Sequence, residues 1–156
     1  MHEFNQAIAS GDRCLPVQYL RRKSDPRNRA PVRIVVVDDE ECVVKSIEML
    51  IRAKYEVALS SFTSSVEAWE ELQRTQPDLL IVGGVMPQMS GKQIVSGLME
   101  RKVSYPILVV SGFLSGEAVR GWFPEAANIS FLKKPFTVGQ LVAEVEKHFE
   151  PVPAGK

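Results

Sequence analysis

Four carboxylates stand in a row, Asp38-Asp39-Glu40-Glu41, directly after the apolar run Val32 to Val37. Adjacent carboxylates at the end of a strand can hold a hard cation such as magnesium through their oxygen atoms. The same residues suit another duty, because aspartate is a favoured helix N-cap and acids in a first turn interact favourably with the helix dipole. Ser111 and Lys134 follow two other apolar runs. A hydroxyl, an ammonium and paired carboxylates are the groups that phosphoryl transfer needs to orient and neutralise the moving group. Whether they share one crevice depends on the elements that carry them.

The run Val32 to Val37 reads as a buried strand feeding a helix with Val43, Ile47, Leu50 and Ile51 on one face. The alternation continues with a strand near Glu56 to Leu59, a helix near Ser64 to Arg74 (Val66, Trp69 and Leu72 inward), the strand Leu79 to Val82 and a helix near Lys92 to Arg101. The strand Ile107 to Val110, a short helix near Glu117 to Phe123 and the strand Ile129 to Leu132 follow. A last helix repeats Val138, Leu141, Val142, Val145 and Phe149 at helical spacing. Continuously apolar strands separated by helices imply a five-stranded parallel sheet covered on both faces, a doubly wound α/β fold. In such sheets the working site lies beyond the carboxyl ends of the strands, where strand order reverses. Asp38, Asp39, Gly83, Ser111 and Lys134 all follow strands.

Composition sets the frame. The 156 residues, 45% hydrophobic and 24% charged, suit one globular domain with a short appendage. No apolar run could span a bilayer and the start is not that of a secretory signal, so a cytoplasmic protein is expected. Cys14 and Cys42 lack metal-type spacing and read as reduced structural thiols, with Cys42 on the buried face of the first helix. The segment Leu20 to Pro31, LRRKSDPRNRAP, reads as a polar linker. The expected division is an extension and basic linker over 1–31, a domain over 32–150 and a tail over 151–156. Residues 4–20 would dock as a short helix or stay mobile. Net charge is zero, yet Arg13, Arg21, Arg22, Lys23, Arg27, Arg29 and Arg33 crowd the first 33 residues, a patch that could attract nucleic acid.

Residues 32–149 resemble the receiver domain of two-component response regulators. VVVDDE (Val35 to Glu40), PDLLIVGGVMPQMSG (Pro77 to Gly91), VVSGF (Val109 to Phe113) and FLKKPF (Phe131 to Phe136) carry the resemblance, in order and at the family's spacing. It implies a flavodoxin-like fold of five strands and five helices, an acid pair at Asp38 and Asp39, a switch pair at Ser111 and Phe131, and a family lysine at Lys134. The Lys134-Pro135 bond matches one that is cis in the family.

The departure from the family matters most. The phosphate-accepting aspartate should lie four residues before the proline of Met86-Pro87, and that residue is Gly83. Glycine offers no nucleophile, nor do Val82, Gly84 or Val85, and Asp78 lies at the other end of the strand, over about 10 Å away by strand rise. Asp78 reads as a solvated turn residue. The family's magnesium ligands would be Asp39, the missing aspartate and the Val85 carbonyl, with Asp38 acting through water, so binding here is expected to be weak or absent and no resident cofactor is expected. Lys134 would then neutralise the acid cluster, and Ser111 would satisfy loop amides. Gly83-Gly84 either leaves room for an anion or a partner's side chain, or marks loss of function by drift. Trp122 and Phe123 lie where receivers contact partners, as interface anchors or as a cap on the core.

The resulting expectation is a receiver-like signal transduction module, not an enzyme. It is read as standing alone without an output domain and acting independently of phosphorylation. Its partners would be a histidine kinase, a downstream signalling protein or a second copy, met through the fourth helix, last strand and last helix. The alternatives are a nucleic-acid-associated regulator using the basic arm, and a dehalogenase-like phosphatase using Asp38 and Asp39.

Overall fold

In a computed structural model of the chain, residues 17–153 are described. Within them the expected helices and parallel sheet are present, and a second sheet joins the two ends. In chain order the elements are β1 (Gln18–Arg22), β2 (Arg33–Val37), α1 (Glu41–Lys54), β3 (Tyr55–Glu56), β4 (Ala58–Phe62), α2 (Ser65–Arg74) and β5 (Leu79–Gly83). They continue with α3 (Gly91–Glu100), β6 (Ile107–Ser111), α4 (Gly116–Trp122), β7 (Ile129–Lys133), α5 (Val138–Glu146) and β8 (Phe149–Pro153).

The main sheet is parallel throughout, in the order β4-β2-β5-β6-β7. Its three central strands are apolar because both faces are covered: β2 is buried at four of five positions and β5 and β6 at every position, whereas the edge strands β4 and β7 are partly exposed. On one face Ile34, Val36, Ile81 and Leu108 pack with Ile47 and Ile51 of α1 and Leu141 and Val145 of α5. On the other, Val35, Val82 and Val109 pack with Ala68 and Leu72 of α2, Ile94 and Leu98 of α3 and Val119 of α4. Side chains cap four helices, with Ser64, Ser90, Ser115 and Thr137 each accepting from a first-turn amide, and capping boxes at Ser90 and Thr137. Strand order reverses between β2 and β5, which places the loops after these strands at the crevice.

Several expectations are corrected. Leu20 to Arg22, read as linker, belong to β1, which pairs parallel with β3 and antiparallel with β8. Residues 151–153, read as tail, complete β8. Leu20 is buried in the same core as α1 and α5, so this small sheet continues the domain. Phe149 does not extend the last helix; α5 ends at Glu146, and buried Phe149 opens β8. Among the described residues β8 pairs only with β1, and an edge position of this kind accommodates Pro151 and Pro153. On α1 the buried residues are Val44, Ile47, Leu50 and Ile51, and Cys42 is exposed. Val66 is exposed too, because the inward face of α2 runs through Ser65, Ala68 and Leu72. The strand expected near Glu56 to Leu59 divides at Val57 into β3 and β4. Cys14 and the residue 4–20 stretch up to residue 16 lie outside the described residues.

Asp78 is the anchor of this extension and not a solvated residue. Arg22 Nε and Nη2 donate to its two carboxylate oxygens at 2.6 Å each, and the Arg33 N–H donates to Oδ2 at 2.8 Å. Arg22 also donates to the carbonyls of Ala30 and Pro31, tying the β1–β2 connection beneath the sheet. Arg22→Ala is expected to lower stability by about 2 kcal/mol, since Asp78 keeps the Arg33 N–H and some solvent but loses a bidentate partner. Urea denaturation checks this, and an unchanged midpoint would refute it. Arg21 pairs with Glu150 on β8. Two arginines of the basic arm are therefore used within the fold.

Candidate functional site

The loops after β2, β5, β6 and β7 bring the residues singled out in the sequence to one end of the sheet. Asp38 is 2% exposed. Its Oδ1 accepts the Glu40 N–H at 2.9 Å and its Oδ2 accepts Lys134 Nζ at 2.7 Å. Lys134 reaches Glu40 Oε1 as well, at 3.4 Å. The lysine thus bridges Asp38 and Glu40, and not Asp38 and Asp39, which stays exposed. The helix-capping reading of the acids holds only in part. Glu40 is the N-cap of α1 without a capping side chain, Glu41 is the acid of the first turn, and Asp38 instead closes a short turn onto Glu40. Burial pulls the Lys134 pKa down, but the hydrogen bond to Asp38 and the charges of Asp38 and Glu40 outweigh it and hold the ammonium above its ordinary value.

Gly83 ends β5 beside this pair. A Cβ at that position would lie 3.0 Å from Asp38 Oδ2, 3.2 Å from Asp38 Cγ and 3.4 Å from Met86 Cγ. The carboxylate and the buried methionine have closed around a residue without a side chain. Gly84 is held more tightly still: a Cβ there would lie 2.7 Å from Leu114 Cδ1 and 2.9 Å from Ser111 Cβ. The space at Gly84, which one of the two readings of the glycine pair left for an anion or a partner's side chain, is filled by Ser111 at the end of β6 and Leu114 in the loop after it. Within that loop buried Ser111 accepts the N–H groups of Phe113 and Leu114 at 3.1 and 3.2 Å, the loop-satisfying role anticipated for its hydroxyl. Leu114 turns inward and Phe113 outward, 86% exposed.

Phe131 is half-buried against the core on the α2, α3 and α4 face, next to Gly116. Trp122 and Phe123 pack against the same core, also half-buried, so they cap it while keeping part of their surface outside. The Lys134-Pro135 bond is cis.

The donors present do not suit magnesium. Both oxygens of Asp38 are engaged by protein donors, Gly83 supplies none, and Asp39 stands apart in solvent with the exposed Val85 beyond it. Among the described residues no three His, Cys, Asp or Glu side chains are grouped to hold a metal ion. A cation that demands near-octahedral oxygen coordination would compete with Lys134 and the Glu40 amide for the Asp38 carboxylate.

Comparison with known proteins agrees with this arrangement of strands and loops. The family model described as the response regulator receiver domain matches residues 34–146. Among curated proteins, the response regulator Rre1 of Synechocystis is 30% identical over 118 residues, covering 74% of this chain and 50% of that protein. The response regulator MprA of a Mycobacterium species is 32% identical over 117 residues, covering 74% of this chain and 49% of its own. The chain therefore spans about half the length of the curated relatives it matches. The receiver domain of the Francisella response regulator 1452 shares the fold, with a TM-score of 0.66 at 19% identity over 75% of this chain and 94% of that one. Receiver domains of this kind interact with histidine kinases and other proteins of two-component systems, and no helix among the described residues is long and apolar enough to cross a membrane. From the matched strands to the loops that gather Asp38, Ser111 and Lys134, this chain belongs to the response regulator receiver domain family.

Proposed function

We propose that this receiver domain signals by binding a protein partner and does not accept a phosphoryl group. The observation that carries the proposal is the end of β5, where Gly83 stands at the acceptor position and Asp38 and Met86 close around it. A phosphodonor finds no nucleophile there, and the neighbouring carboxylate of Asp38 is held by Lys134 and the Glu40 amide. The Lys134-Asp38 pair supports a structural role for the lysine, and the Ser111 bonds to its own loop support a switch that stays in one position.

The surface through which the module works is α4, β7 and α5, with Trp122 and Phe123 as apolar anchors at its edge. A histidine kinase, a downstream signalling protein or a second copy is the partner class. The Arg22-Asp78 and Arg21-Glu150 pairs weigh against a nucleic-acid role for the basic segment, because they take two of its charges out of service.

Intact-mass measurement after incubation with magnesium and acetyl phosphate tests the reading, with a competent receiver alongside. The expected mass is unchanged. A stable gain of about 80 Da, one phosphoryl group, would overturn it.

A further inference from the structure

A cleft of about 640 Å³ lies at the opposite end of the main sheet from Asp38, under the loops that lead into β5, β6 and β7. Its other wall comes from residues outside the stretch matched by the family model: the end of β1 and the start of β8. The Lys23 N–H donates to the His148 carbonyl at 3.1 Å, so the small sheet fixes these two residues side by side at the rim. Lys23, Ser24, Ser104, Lys147 and His148 contribute the polar lining, while Tyr105 and Phe149, 8% and 2% exposed, contribute apolar wall.

The charge available inside is positive. Asp78 is the acid of the lining, and both of its oxygens are engaged by Arg22 and the Arg33 N–H. Arg22 is spent in the same contacts. Among the described residues Lys147, which caps the end of α5, pairs only with Glu144, in a half-exposed contact at 2.8 Å. Among the described residues the Lys23 ammonium and the His148 ring form no ion pair or side-chain hydrogen bond, and the ring stands edge-on to Phe149. Burial lowers the His148 pKa, opposed by Glu144 and reinforced by Lys147 and Lys23, so its ring sits among groups that an arriving anion would relieve. The volume falls in the range of about 300–1,000 Å³ typical of small-molecule sites, far more than a bare inorganic ion fills.

We propose that this cleft binds a small organic phosphate, with the phosphate group at Lys23, Lys147 and His148 and its apolar body against Tyr105 and Phe149. The site is independent of Gly83 and of how the receiver crevice behaves. It would give the domain an input that the phosphoacceptor position does not provide.

The test is a titration of the full chain followed by amide and histidine-ring NMR signals, using AMP, phenyl phosphate, inorganic phosphate and adenosine as probes. At least one of the two organic phosphates is expected to shift residues 22–24, 104–106 and 147–149 and the His148 ring saturably. Inorganic phosphate and adenosine are each expected to bind about tenfold more weakly, and Lys23→Glu to weaken the organic phosphate by at least about tenfold, the loss of one charge-assisted contact. Unchanged β5 and β6 amides in that variant would show that its fold is intact; should they change, the conservative Lys23→Gln takes its place. The proposal falls if neither organic phosphate gives a saturable shift at millimolar concentration, if inorganic phosphate or adenosine binds as tightly, or if the shifts centre on Lys134.

Discussion

Gly83→Asp is expected to convert a chain silent towards acetyl phosphate into one that gains about 80 Da in the presence of magnesium. The substitution supplies the missing nucleophile at the end of β5, beside three of the groups it needs: Asp38 Oδ2 at 3.0 Å from the new Cβ, Lys134 on Asp38, and Ser111 on the neighbouring strand. The contact is tight, so Asp38 must give by a few tenths of an ångström, and a second carboxylate beside it must share Lys134. Magnesium should therefore stabilise the variant against heat far more than it stabilises the wild-type chain, because only the variant has a carboxylate at the end of β5. A variant that folds but takes up no phosphoryl group would show that the Leu114-Gly84 contact and the engaged Ser111 keep the crevice shut.

Lys134→Met should lower stability by about 3 kcal/mol, because it leaves the buried Asp38 carboxylate with only the Glu40 amide. For a chain of this size that corresponds to a melting midpoint roughly 10 °C lower. The pH dependence follows from the raised lysine. A group whose folded-state pKa lies above its unfolded value contributes stability in full below the unfolded value, near pH ~10.4 for lysine, and loses it as pH rises through the folded one. Wild type should weaken in that alkaline window, and the Met variant, already without the contribution, should not show the same fall. A variant as stable as wild type at neutral pH would mean that Lys134 holds nothing in place.

The parallel sheet was legible because its central strands β2, β5 and β6 are buried on both faces and read as apolar runs, and because Ser and Thr caps mark the starts of α2 to α5. The crevice followed from strand order, and Gly83 from its place before Met86-Pro87. The small sheet escaped for physical reasons. β1 is five residues long, and its buried positions are Leu20 and Arg22, so half of its inward face is a charged side chain whose partner, Asp78, lies 56 residues away. Pro151 and Pro153 argue against a strand unless it is known to have one free edge. Phe149 continued the helical spacing of Val138 and Leu141 by coincidence of period, and the turn at Lys147-His148 carries no glycine or proline to mark the break. The alternating burial of Leu20 and Arg22 was the signal available, too short to weigh against nine polar or proline neighbours in LRRKSDPRNRAP. The engagement of Asp38 with both Lys134 and the Glu40 amide depends on rotamers and loop closure, which no spacing reveals.

The two prolines of β8 reach beyond this domain. Pro151 and Pro153 share one parity of the strand, and because a proline has no N–H to give, the five-residue ladder with β1 must draw its β8 donors from Glu150 and Val152. Among the described residues the outward edge of β8 has one amide, that of Phe149, and two positions that cannot donate. A newly synthesised copy or an unfolded neighbour arriving at that edge finds no ladder to copy, so the sheet that joins the two ends of the fold also resists growth into a chain-to-chain β assembly.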